Sequence, residues 1–325
     1  MKRARMIIYV VLAAIIVTVA SLLSYAKFAF PNIGKAEVIK VETNAIIIHH
    51  GKYLASSVFV CMDCHSKRDW TKFSGPLVKG SLGQGGEEFN QKQGFPGKYY
   101  SKNITPFGIQ DWTDGEILRA ISCGVNKKGN PLFPVMPYLN YGNLDRKDLY
   151  DIIAYLRTLP SIVNKVPDSK SDFPMNIIIR TIPHKPRYST IPDKNNKIMY
   201  GRYLTTAASC TDCHTQQEKG KPVQDMDFAG GFKFPLSTGG IVTSANITPD
   251  LETGIGTWTE EAFVSYFKSF TNSKYVPTTI GKDVFNSYMP WTMYSTMQTE
   301  DLKAIYTYLR TLKSIKNKIT KFIPD

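Results

Sequence analysis

Apolar side chains run from Met6 to Leu23, 18 residues broken only by Thr18 and Ser21, behind a basic start at Lys2, Arg3 and Arg5. A helix of that length reaches the lower limit of a bilayer span. A secretory signal opens in the same way, and Ser24-Tyr25-Ala26 offers a small-x-small cleavage site. The length of the run favours a retained anchor over residues 1–26, followed by a tether over 27–44. Positive charge ahead of the span keeps the N-terminus inside and places everything after it outside. Beyond residue 44 the clear periods are helical. Leu149, Ile152, Ile153, Leu156 and Leu159 fall on one face, and Leu302, Ile305, Tyr306 and Leu309 repeat that stripe. Thr113-Asp114-Gly115-Glu116 has the form of a capping box, and Thr259 precedes Glu260 and Glu261, so a helix is expected to start at each place. No run of alternating strand residues stands out, and the class expected is all-α with long loops. The Gly-rich stretches 75–86 and 230–240 leave room for a short hairpin.

The stripes and caps belong to a longer duplication. Gly51-Lys52-Tyr53-Leu54 answers to Gly201-Arg202-Tyr203-Leu204, Asn103-Ile104-Thr105-Pro106 to Asn246-Ile247-Thr248-Pro249, Trp112-Thr113 to Trp258-Thr259, and Met136-Pro137 to Met289-Pro290. Both series close on Tyr-Leu-Arg-Thr-Leu, at 155–159 and 308–312. The order is the same in both, and the spacing between partners drifts by a few residues, so insertions fall in loops on a common frame. The chain therefore divides into a domain at 45–165, a linker at 166–194 rich in Pro and expected to lie extended along the surface, and a second domain at 195–325.

Each domain holds one copy of a Cys-x-x-Cys-His pentapeptide, Cys61-Met62-Asp63-Cys64-His65 and Cys210-Thr211-Asp212-Cys213-His214. That is the spacing at which two thioether bonds hold one haem while the adjoining imidazole takes an axial position on iron. Half of a zinc site would need further thiolate or imidazole ligands. Only Cys123, His49, His50 and His184 remain outside the motifs, too few to complete two closed sites. A thioredoxin-like redox motif does not call for the His. Two covalent haem c groups are expected, bound by Cys61, Cys64 and His65 and by Cys210, Cys213 and His214. Cys123 lies in an apolar helical pattern and reads as a buried, inert thiol.

The sixth iron ligand is argued from position. Met136 is the one Met between His65 and the linker, and it sits in the loop Phe133-Pro134-Val135-Met136-Pro137-Tyr138. In the second domain Met226, Met289, Met293 and Met297 are available, and only Met289 has the repeated Pro after it. Thioether sulfur suits haem iron and raises its potential, so Met136 and Met289 are the metal ligands expected opposite His65 and His214. His49 and His50, taken to precede the first helix, offer a bis-imidazole alternative for the first haem, against which a solvated surface pair is preferred. His184 reads as a linker residue. Trp112, Trp258, Tyr138 and Trp291 read as core aromatics first and haem neighbours second.

Composition changes the picture little. The chain of 325 residues is 42% hydrophobic, as a globular protein is. Its net charge of +13 falls to about +9 once four propionates are counted, which suits an acidic redox partner or an anionic membrane and, for an exported haem protein, argues against nucleic acid.

With motifs, Asn-Ile-Thr-Pro, the Trp-Thr helix start and the Met-Pro loop in order, the chain resembles the cytochrome c subunits of membrane-bound alcohol and gluconate dehydrogenases. Asn246-Ile247-Thr248-Pro249-Asp250 through Gly254-Ile255-Gly256-Thr257-Trp258-Thr259 is the stretch most particular to that group. The resemblance implies two tandem class I cytochrome c domains and a role without catalysis of its own, as an electron-transfer protein or subunit. Electrons would pass from a periplasmic dehydrogenase toward the respiratory chain, a terminal oxidase or another cytochrome being the acceptor, at a bacterial inner membrane with the haem domains on the outer side. Those subunits typically carry three haem domains where this chain has two motifs, so a stand-alone dihaem carrier is equally compatible. The rival class is a dihaem oxidoreductase of thiosulfate dehydrogenase or peroxidase type, with one reactive haem.

Overall fold

The computed structural model describes residues 2–218, 220–271 and 275–325. Helix α1 (Lys2–Ala29) is continuous and has no buried residue, the one helix among the described residues long and apolar enough to cross a membrane. It runs three residues into the stretch expected as tether. The remainder of that stretch is strapped down: the Val41 amide donates to Asp114 (2.9 Å), Glu37 pairs with Arg146, and a Cβ at Gly115 would lie 1.8 Å from the Glu37 carbonyl oxygen.

The first half begins with α2 (Ala45–Tyr53), capped by the Asn44 side chain, which accepts from the Ile47 amide. It runs on into a π-helical turn at Leu54–Val58 and then the short α3 (Cys61–Cys64). His49 and His50 are thus inside α2 and not ahead of it, and His50 is not merely solvated, since its Nδ1 lies 2.7 Å from Asp151. A hairpin, β1 (Glu88–Phe89) and β2 (Gly97–Tyr100), leads to α4 (Pro106–Ile109), α5 (Asp114–Cys123), α6 (Tyr138–Tyr141) and α7 (Arg146–Arg157). The expected capping box starts α5: Thr113 accepts from the Glu116 amide while the Glu116 carboxylate accepts from the Thr113 amide.

The Pro-rich connection is more structured than an extended linker. It adds β3 (Lys170–Ser171) to β2 and forms α8 (Met175–Ile178) with a 3-10 turn, Ile179–Thr181. It then lies along the first half, where the Arg187 amide donates to Gly142 (2.7 Å) and the Ile191 amide to Asp145 (2.8 Å).

The second half repeats the order with α9 (Lys197–Ala207), α10 (Cys210–His214), the ribbon β4 (Gln217–Glu218) and β5 (Lys221–Pro222), the hairpin β6 (Lys233–Pro235) and β7 (Ile241–Thr243), α11 (Glu260–Lys268), α12 (Trp291–Tyr294), α13 (Thr299–Leu309) and β8 (Phe322–Ile323). β8 returns from the far end of the chain to pair with β7, Ile241 opposite Ile323. The all-α expectation is therefore only roughly right. Helices dominate, but among the described residues three small antiparallel sheets of two to four residues per strand pin the loops. In the second half β6 and the turn fall inside the expected Gly-rich stretch and β7 just beyond it; in the first half the hairpin lies just after the stretch.

In each half the first helix crosses the last, α2 on α7 and α9 on α13. The crossing needs glycine. A Cβ at Gly51 would lie 1.8 Å from the Asp151 carbonyl oxygen, and one at Gly201 would lie 2.0 Å from that of Ala304. The expected stripes lie there, Leu149, Ile152, Ile153, Leu156 and Leu159 buried in one half, and Leu302, Ile305 and Leu309 buried with Tyr306 half-buried in the other. One continuous apolar cluster joins them across the middle of the molecule.

Candidate functional site

The two Cys-x-x-Cys-His motifs fold alike, the helical turn taking in His214 in the second but stopping at Cys64 in the first. Each is entered through a residue in the left-handed region, Val60 (φ 45°) or Ser209 (φ 53°), that turns the chain sharply into one helical turn. Cysteines three apart on such a turn share a face. Neither pair is closed into a disulfide, and burial pushes the Cys61 and Cys210 thiols up to about 12.

Behind each motif the second layer of contacts repeats as well. The His65 imidazole donates from Nδ1 to the Lys102 carbonyl (2.6 Å), and His214 does the same to Ala245 (2.8 Å). A carbonyl can only accept, so Nδ1 carries the proton and Nε2 keeps its lone pair for a metal. Burial lowers the basicity of both imidazoles, which favours that neutral form, while the carbonyl bond acts the other way.

Each acceptor carbonyl immediately precedes an Asn-Ile-Thr-Pro segment, and the fold explains that repeat. Asn103 accepts from the Thr105 amide and hydroxyl (3.0 and 2.7 Å) and donates to Ile162 (2.8 Å). Asn246 accepts from the Thr248 amide and hydroxyl (2.9 and 2.7 Å) and donates to Ile315 (2.7 Å). The strand of chain that orients the imidazole is thereby tied to the segment leaving the last helix. The Arg of Tyr-Leu-Arg-Thr-Leu makes a second tie: Arg157 donates to Ile109 (2.8 Å) and Trp112, and Arg310 to Ile255 (3.3 Å) and Gly256 (2.7 Å).

Met136 and Met289, both half-buried, sit in matching turns, each closed by a 2.8 Å bond from the amide two residues on. Each turn opens a short helix, α6 or α12, whose last Tyr reaches back to the Cys-x-x-Cys-His arm. Tyr141 donates to the Phe59 carbonyl (3.0 Å) and Tyr294 to that of Ala208 (2.7 Å), in each case two residues ahead of the first motif Cys. Met arm and His arm are so brought together in both halves. Neither Tyr was singled out from the sequence, although both stand five residues after the repeated Met. Tyr138, fully buried beside Met136, has a hydroxyl with no partner from the chain, an unmet donor that a buried acceptor on a bound group would satisfy. Together with neutral imidazoles and paired free thiols, it fits a haem.

Elsewhere the sequence-nominated residues are structural. Cys123 is buried at the end of α5, with burial raising its pKa; His184 is exposed in the connection; Trp112 and Trp258 pack on the core, and Trp291 stacks on Phe270 (4.9 Å).

The halves meet through a two-fold-like set of contacts. Tyr53 donates to Asp301, and Tyr203 to Asp148 (2.6 Å). Asn140 donates to Asp212 inside the second motif (2.9 Å), and Ser57 and Thr296 share a hydrogen bond (2.7 Å). A further contact reaches the second half's Met turn. Arg68, paired with the buried Asp63 of the first motif (2.8 Å) and lying over Trp70 (4.0 Å), shapes the loop that carries Ser74. The Ser74 hydroxyl donates to the Met289 carbonyl (2.5 Å) and its amide to Asn286 (2.8 Å), so the first half grips the second half's Met turn.

A family model described as Cytochrome c matches residues 198–313. The chain is 26% identical to the cytochrome c subunit of a quinone alcohol dehydrogenase from Gluconacetobacter polyoxogenes, over 84% of this chain and 58% of that one. It is 25% identical to the gluconate 2-dehydrogenase cytochrome c subunit of Pantoea cypripedii, over 87% and 64%. A protein named diheme cytochrome c-type from Cereibacter sphaeroides is 26% identical over 79% and 83%. The chain thus spans about three-fifths of the length of the two dehydrogenase subunits. With a cytochrome c domain in its second half and the same relatives along most of its length, this chain resembles the cytochrome c subunits of alcohol and gluconate dehydrogenases.

Proposed function

We propose that the chain is a membrane-anchored dihaem cytochrome c that relays electrons from a periplasmic dehydrogenase toward the respiratory chain. Cys61, Cys64, His65 and Met136 hold one haem, and Cys210, Cys213, His214 and Met289 the other. The domains are those at 45–165 and 195–325. The observation that carries this reading is the duplicated frame behind each motif, a Nδ1–H bond to the carbonyl before Asn-Ile-Thr-Pro together with a Tyr that ties the Met arm to the Cys arm.

Haem iron supplies a reversible one-electron change; the rest is the work of the chain. Its Cys thiols would anchor each haem covalently, its imidazoles, held in one tautomer by the Lys102 and Ala245 carbonyls, would offer Nε2 to the iron, and the Met136 and Met289 thioethers would be the further ligands that raise the potential. Haems so ligated would leave no position for a substrate, and the task of the chain would be outer-sphere electron passage across an interface that the Tyr–Asp pairs fasten. Matching Met turns in both halves favour this over an oxidoreductase with one reactive haem. The relatives named as dehydrogenase subunits support a dehydrogenase as donor, and the basic surface suits an acidic partner. Helix α1 supports a single span with the haem halves on the outer side of the inner membrane.

The test is haem content by pyridine haemochrome and intact mass, followed by carbon monoxide added to the reduced protein. Two haems per chain and no prompt carbon monoxide complex are expected. One haem, or immediate binding, overturns the relay.

A further inference from the structure

Helix α1 is about 42 Å long at 1.5 Å per residue, against about 30 Å of bilayer hydrocarbon. Its apolar stretch ends at Leu23, so the last turns, carrying Tyr25, Lys27 and Phe28, fall at headgroup level, where aromatic and basic side chains collect. The Pro-rich connection is fastened at this level. Arg180 donates from Nε (3.0 Å) and Nη2 (2.6 Å) to the Phe30 carbonyl, and α8 with the turn after it packs on α1. Around this junction large apolar side chains are bare: Phe28 is 82% exposed, Phe173 79% and Ile178 45%. Between 165 and 187, Lys165, Lys170, Arg180, Lys185 and Arg187 face only Asp168 and Asp172.

We infer that α8 and its flanks, residues 172–182, form a second membrane contact that lies in the headgroup layer of an anionic bilayer beside the anchor. Phe173 and Ile178 enter the acyl boundary, and the surrounding cations meet lipid phosphate. The apolar surface is continuous with that of α1, and its charge complements an anionic leaflet, which is why lipid and not a protein is its occupant. The haem halves are then held at a fixed pitch over the membrane. The inference rests on α1 being a retained span.

The test uses the full-length holoprotein in vesicles of phosphatidylethanolamine and phosphatidylglycerol. Single spin labels are placed by Ile15→Cys, Phe173→Cys, Ile178→Cys and Leu251→Cys, each with Cys123→Ser, and their accessibility to oxygen and to a water-soluble nickel chelate is compared. Labels at 173 and 178 are expected to favour oxygen several-fold over the label at 251, with 15 deeper still. If 15 is in lipid and 173 and 178 behave like 251, the second contact is wrong and the anchor stands. If 15 is in water, the anchor and the contact both fall. If 173 is shielded from both reagents, a protein covers the patch and the inference fails. Because a label alters its own site, the double variant Phe173→Ser/Ile178→Ser is measured alongside; the dichroism of its haem bands in aligned bilayers should drop, and unchanged dichroism overturns the proposal.

Discussion

Replacing Tyr203 by Phe removes one hydroxyl from the contact between the halves and leaves the ring in place. That hydroxyl donates to Asp148 at 2.6 Å and accepts from the Asp145 amide at 3.2 Å. Asp148 is only 3% exposed, so water does not replace the lost donor. A hydrogen bond to a charged group contributes about 1.5–3 kcal/mol, and the Asp145 amide is part-buried, so Tyr203→Phe is expected to cost about 2–3 kcal/mol. The cost depends on pH with a definite sign. Burial raises the Asp148 pKa, with the Tyr203 bond opposing that rise. A carboxyl shifted upward favours the folded state in acid and loses that contribution as pH rises through its folded pKa. Without Tyr203 the anion is worse off still, and the penalty grows on the alkaline side. Guanidinium unfolding of the holoprotein, followed in the haem absorption at about pH 4 and about pH 8, measures both effects. A penalty equal at the two pH values, or below about 0.5 kcal/mol at the higher one, refutes the reasoning. Tyr53→Phe removes the reciprocal bond to Asp301, which keeps a second donor in Tyr200 (3.1 Å), so a smaller loss of stability is expected in the same unfolding assay.

In Met136→Ala and Met289→Ala both haems should stay attached while the potential of the altered site falls, read by spectroelectrochemistry; unchanged potentials in both variants dismiss the ligand assignment. Gly201→Ala puts a Cβ 2.0 Å from the Ala304 carbonyl oxygen, so α9 and α13 must move apart, at a cost of about 1–3 kcal/mol in thermal or denaturant unfolding. A neutral result would mean that the crossing is looser than described.

Much of this was legible because the chain says everything twice. The Met-Pro and Asn-Ile-Thr-Pro pairs located the arms and the loop behind each imidazole, and Thr113 and Thr259 started helices where side-chain oxygens meet free amides. What local pattern missed were pairings between distant residues. β8 joins β7 from some 80 residues away, and strands of two or three residues are too short to alternate visibly. Prolines between 167 and 192 hid the apolar run Ile177 to Ile179, whose partner is helix α1 far upstream. His49 and His50 lie inside α2 because the helix starts early, at the Asn44 cap, ahead of the repeated Gly51-Lys52-Tyr53-Leu54. Tyr53, Tyr203, Asp148 and Asp301 each stand at equivalent points of the repeat, yet only folding shows that each Tyr bonds the Asp of the other half.

The grip of Ser74 on the Met289 turn makes the tandem unequal. The second half holds the first one step further along, where Asn140 in α6 donates to Ser209 (3.2 Å) and Asp212 (2.9 Å), so one grip falls on the Met289 turn itself and the other on the helix after the Met136 turn. A gene fragment encoding only the second unit would lose the Ser74 contacts at the Met289 turn, while one encoding only the first would lose the Ser209 and Asp212 contacts at α6. Duplication here has ended in dependence, and the two copies no longer trade places.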